Sequence, residues 1–93
     1  MADETRREAP LLVASGTNPG QLAGAIFKNW EEGKKVILTA IGAGAVNQAI
    51  KACAIARGFF APVGQDMTLR IGFQDVTISA NKRTAIRIEV VVA

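Results

Sequence analysis

Residues 36–60, VILTAIGAGAVNQAIKACAIARGFF, decide how the rest of the chain must be arranged. Val36 to Ile41 is almost continuously apolar and rich in branched side chains, the pattern of a strand covered on both faces. Gly42, Ala43 and Gly44 then turn the chain into a helix from about Ala45 to Phe59. On that helix Val46, Ala49, Ile50, Ala52, Cys53, Ala56 and Phe60 share one broad face, and Asn47, Gln48 and Lys51 form a narrow polar stripe. The stretch reads as the central strand of a sheet with a helix packed upon it.

Upstream, Leu11 to Ser15 is a short apolar run that ends in Gly16, Thr17, Asn18, Pro19 and Gly20. Asn18 or Thr17 supplies an N-cap and Pro19 the first turn of a helix. From Gln21 to about Glu32, Leu22, Ile26 and Trp30 recur at a spacing of four, with Ala23, Ala25 and Phe27 filling in, and Gly33 stops the helix. Downstream, Pro62 and Gly64 mark a loop from Ala61 to Asp66. The period then becomes two, with Met67, Leu69, Ile71 and Phe73 alternating against Thr68, Arg70, Gly72 and Gln74. After Asp75 the apolar parity flips to Val76 and Ile78, which predicts a bulge or a bend. Ser79 to Arg83 reads as a tip, and Thr84 to Val92 completes a hairpin with Ile86, Ile88, Val90 and Val92 facing in and Arg87 and Glu89 facing out. The order β-α-β-α-β-β predicts an α+β two-layer sandwich, a mixed four-stranded sheet with both helices on one face.

Length allows one core. The 93 residues fold as a single domain over 11–93, behind a polar tail over 1–10 that is expected to be disordered. The tail lacks the apolar stretch of a secretory signal, and the longest uncharged stretches are too broken to span a membrane. With no His and no Tyr, the usual general base, metal-binding imidazole and phenolic acid are missing. A single Cys forms no internal disulfide and no thiolate zinc site, and it suits a reducing compartment, so the expectation is a cytoplasmic protein with no metal and no cofactor. Glu31 and Glu32 are adjacent and diverge by about 100° on a helix, and no nucleophile has a base beside it. The chain is not expected to be an enzyme.

Outside the tail there are nine basic and five acidic residues, a net of +4, which favours anionic partners but is also ordinary solubility chemistry. The strand-to-helix junction at Gly42 and Gly44 imitates a dinucleotide loop, but Asn47 stands where the third glycine belongs and no Lys-Ser or Lys-Thr pair makes a triphosphate loop. What remains is a turn that allows close backbone approach at a helix start. Asn47, Gln48 and Lys51 project together, either to read a backbone or base edge or as a plain solvated stripe. Lys82 and Arg83 at a hairpin tip reach into a nucleic-acid groove in one reading and decorate an exposed turn in the other. Arg57 caps carbonyls or pairs with a carboxylate, Cys53 is a buried thiol, and Phe27 with Trp30 belongs to the core.

The run from Ala40 through Gly42, Gly44, Asn47, Gln48 and Lys51 to Ala54-Ile55-Ala56-Arg57-Gly58-Phe59 and Ala61-Pro62 resembles the stage V sporulation protein S family. The match is densest over residues 38–66, and the remaining elements agree in order and spacing from Leu11 to Val92. The resemblance implies a small cytoplasmic bacterial protein of spore development with an Alba-type fold, hence a homodimer that binds DNA or RNA. It places the nucleic-acid surface at the start of the second helix, Gly42, Gly44, Asn47, Gln48 and Lys51, and on the hairpin arm, Lys82 and Arg83. Alba proteins carry lysines in the first loop, whereas Gly16, Thr17, Asn18 and Pro19 stand here. Two readings therefore compete: a nucleic-acid-binding regulator working as a dimer or higher oligomer, and a structural or protein-interaction module that uses its sheet edge or far face.

Overall fold

A computed structural model describes residues 6–93. Strand β1 (Glu8–Val13), helix α1 (Pro19–Glu31), strand β2 (Lys35–Ala40), helix α2 (Ala43–Phe60), a single 3-10 turn over Ala61–Val63, and strands β3 (Met67–Ile78) and β4 (Asn81–Val92) follow in order. The sheet runs β1-β2-β4-β3, with β1 and β2 parallel and the other pairs antiparallel. This is the expected α+β sheet with two helices. The first strand starts at Glu8, three residues earlier than the apolar run suggests, so residues 8–10 of the expected tail are strand, while residues 1–5 lie outside the described residues.

Local signals set the helix ends. Asn18 caps α1, its Oδ1 accepting from the Gln21 amide at 3.0 Å, with Pro19 behind it. Gly33 follows the helix at φ 79°, the left-handed turn that glycine takes without strain. One parity of the strands faces the helices: Val13, Val36, Leu38, Ile88 and Val90 are buried there with Leu22, Ala23 and Ile26 of α1. Helix α2 contributes Ala45, Ala49, Ala52, Cys53, Ala56 and Phe60. Small alanines let the two helices approach closely, whereas Ile50, expected on this face, has no element of the chain over it and is 42% exposed. Phe27, Trp30 and Phe60 pack edge to face or tilted, with centroids 5.0–5.7 Å apart, which places the first two in the core as expected.

Two expectations fail in the hairpin. No bulge follows Asp75, because β3 and β4 pair one to one from Met67↔Val92 to Ile78↔Asn81. The parity flip has another cause. The β2–β4 ladder ends at Ala40↔Ile86, so residues 81–85 and their partners extend as an arm of about 17 Å beyond β2, and there the apolar residues Val76 and Ile78 turn to the helix-free side. The tip is also tighter than expected. Only Ser79 and Ala80, at φ 51° and 65°, form the turn, as a two-residue hairpin with primed geometry requires, and Lys82 and Arg83 belong to β4. Glu89 adds a surprise of burial and not of direction: it points to the helix-free face as its parity demands, yet it is only 5% exposed. Lys35 Nζ lies 3.5 Å and Arg87 Nη1 3.6 Å from its carboxylate, so the two long cations cover it.

Candidate nucleic-acid interface

The turn after β1 and the start of α2 are built as one unit. The Ala14 amide donates to the Thr17 hydroxyl at 2.8 Å and the Thr17 amide to the Ala14 carbonyl at 3.1 Å, which closes residues 14–17 on themselves. Gln48 Nε2 then donates to the Thr17 carbonyl at 2.8 Å, tying this turn to α2. Gly44 lies against the same turn: a Cβ there would stand 3.0 Å from the Ser15 Cβ. Gly42 precedes the helix at φ 94° and ψ 156°, backbone that glycine alone adopts readily.

These contacts divide the sequence-derived candidates. Gln48 spends its amide on the scaffold, and Gly42 and Gly44 are required by conformation and close packing. Asn47 and Lys51 are exposed on α2, four residues apart on one stripe. Lys82 and Arg83 are exposed on the arm opposite Thr77 and Val76. As neighbours in one strand they point to opposite faces, so they do not form one basic tip. Arg83 shares the helix-free face with Arg87 on the same strand and with Arg70 of β3, which stands opposite Glu89. Arg70 and Arg87 are absent from the candidates read from sequence; strand alternation could have found them once β3 and β4 were set in register.

Between the arm and the start of α2 lies a groove of about 480 Å³, lined by Leu12, Ser15, Ile41, Gly42, Gly44 and Ile78 among others. No side chain caps the first turn of α2 there and no acidic residue occupies it. The two surfaces named from sequence, the start of α2 and the hairpin arm, thus meet at this groove. Away from it, Arg57 Nε donates to Asp66 Oδ1 at 2.9 Å; this pair holds the Asp66 carboxyl below the usual carboxylate range, helped by the Met67 amide. Arg57 is therefore an exposed ion-pair partner of a carboxylate, one of the two roles its sequence position offered. Burial pushes the Cys53 thiol up to about 11, which leaves it unreactive as expected.

A second apolar surface flanks α2. Ile71 and Phe73 on β3 are 59% and 79% exposed, and Ile50, Ala54 and Leu69 line a shallow apolar recess of about 220 Å³ beside Met67. The helix-facing side of the edge strand is left uncovered here.

Comparison with known proteins agrees with this architecture. The family model described as Stage V sporulation protein S (SpoVS) matches residues 9–93. Among solved structures, Alba from Thermoplasma volcanium superposes with a TM-score of 0.59 at 16% identity, covering 91% of this chain and 99% of that one. At that identity the likeness is one of fold. No helix among the described residues is long and apolar enough to cross a membrane.

Proposed function

The chain belongs to the stage V sporulation protein S family, whose function is related to sporulation, and on that premise we propose that it is a non-enzymatic cytoplasmic regulator that binds nucleic acid as a homodimer. The observation that carries the reading is the arrangement around the groove. The arm that carries Lys82 and Arg83 contributes Ile78 to one concave surface, and the uncapped helix start that precedes Asn47 and Lys51 contributes Gly42, Gly44 and Ala45. Cations on a projecting arm neutralise phosphates, and a groove beside them takes what the phosphates carry. The Alba-type fold supports it.

The dimer rests on the uncovered side of β3. Contiguous apolar surface on an edge strand is costly in water and is normally covered. Phe73, Ile71, Leu69 and Ile50 offer such a surface, and a second copy meeting it around a two-fold axis buries both at once.

Fluorescence anisotropy with labelled duplex DNA and labelled single-stranded RNA, at low and near-physiological salt, tests the reading together with the solution mass. Binding is expected to weaken with salt, by a slope of about 0.9 in log affinity per phosphate neutralised on duplex DNA. Replacing Lys51, Lys82 and Arg83 together by Ala is expected to weaken it on both ligands, and Phe73→Ser with Ile71→Ser to halve the mass. A folded oligomer that binds neither ligand refutes the nucleic-acid reading and leaves the protein-interaction module in its place.

A further inference from the structure

We infer that the groove between the arm and the start of α2 receives an unpaired nucleobase, so that the protein favours single-stranded over duplex nucleic acid. The inference rests on the nucleic-acid reading above and adds which form is bound. Leu12 is 77% exposed and Ile78 47% exposed, and both line the groove with Ile41 and the glycine backbone of residues 42 and 44. Two exposed branched side chains on separate elements, β1 and the arm, thus border one space of about 480 Å³, within the range of small-ligand sites.

The occupant follows from what the walls offer. An aliphatic chain would use the apolar walls and leave the peptide groups at Ser15, Gly42 and Gly44 without a role. A duplex keeps its bases stacked inside and presents one to a groove only at the cost of unstacking and unpairing it, a cost that a single strand avoids. An unpaired base has two apolar faces and a hydrogen-bonding edge, the combination that an apolar slot with polar backbone at one end accepts. Charge agrees: Asn81 pairs directly with Ile78 and Arg83 with Val76, so an amide and a guanidinium stand on the same face as Ile78, the second as its diagonal neighbour about 7–8 Å away. The amide suits a base edge and the guanidinium the attached phosphate. Lys82, on the other face, contributes to either form of nucleic acid equally.

The test uses a short single strand carrying one central 2-aminopurine and the same strand annealed to its complement, each titrated with the full chain at one salt concentration. The single strand is expected to bind at least about fivefold more tightly, and its fluorescence to rise as the base leaves its neighbours. Leu12→Ser together with Ile78→Ser is expected to remove most of that preference, about fivefold on the single strand, with little change on the duplex. Both positions are exposed, and circular dichroism confirms the fold of the variant; the fluorescence rise in the unaltered protein is an independent readout. Equal binding of both forms, with no fluorescence rise and no effect of the two substitutions, overturns the groove inference while nucleic-acid binding stands. Binding of neither form by folded protein overturns both. Loss of self-association in the Leu12→Ser, Ile78→Ser variant without nucleic acid means that a second copy fills the groove, and also overturns it.

Discussion

Replacing Gly42 by Ala isolates the backbone cost of turning β2 into α2. Nothing lies within 4 Å of a Cβ built there, so no steric clash contributes. The residue stands at φ 94° and ψ 156°, a region that costs a residue with a side chain about 1–3 kcal/mol. Alanine recovers about 0.4–1 kcal/mol by restricting the unfolded chain, which leaves a net loss of about 1–2 kcal/mol. For a domain of this size that lowers Tm by about 5–15 °C. Gly24 provides the control, because it lies inside α1 with open space around its Cβ and an ordinary helical backbone. Gly24→Ala is expected to raise stability by about 1 kcal/mol. Thermal and urea unfolding of the two variants, with the denaturant slope unchanged, measures both. If Gly42→Ala proves as stable as the parent while Gly24→Ala gains, the strained junction is not a constraint on the fold.

Removing the Glu89 carboxylate strands two half-buried cations, Lys35 and Arg87; Glu89→Ala is expected to cost about 2–3 kcal/mol, read as a lower urea midpoint, and an unchanged midpoint would show that the cations simply turn to water. Cys53, buried and with its thiol pushed up to about 11, is expected to react with a thiol reagent at pH about 8 only as fast as the domain opens. Rapid labelling of native protein would place it at the surface. Asp66, whose carboxyl Arg57 holds below its usual range, contributes stability that is complete above about pH 5 and fades as pH falls below about 4. Asp66→Asn is therefore expected to flatten the stability profile within that window only, and an identical profile would mean the ion pair contributes nothing.

The elements were legible because each is announced by neighbours in the chain. Asn18 and Pro19 start α1 by a contact three residues long, and the alternation through Met67 to Phe73 and Thr84 to Val92 marks two strands whatever surrounds them. The candidate site was legible in part. Asn47 and Lys51 are exposed where the helical stripe placed them, while Lys82 and Arg83 lie in β4 and diverge, because the turn needs only Ser79 and Ala80. Gln48 reads from sequence as part of an outward polar stripe, yet its side chain donates to the Thr17 carbonyl, a partner 31 residues away in sequence that no periodicity reports.

By itself the sequence determined the order β-α-β-α-β-β, the alternation of Met67 to Phe73 and of Thr84 to Val92, and the capped ends of α1, all consequences of interactions among residues a few positions apart. The tertiary structure alone decided which apolar residues are covered and which polar ones are hidden. Ile50, Ile71 and Phe73 carry the pattern of core residues yet stay exposed, because no element of this chain lies over them. Glu89 carries the pattern of a surface residue yet is buried, because β2 brings Lys35 beside it while Arg87 reaches over from its own strand. The groove between Leu12 and Ile78 exists only because a hairpin that outruns its neighbouring strand reaches the start of α2. Periodicity records which way a side chain points, whereas burial depends on what the fold brings opposite it.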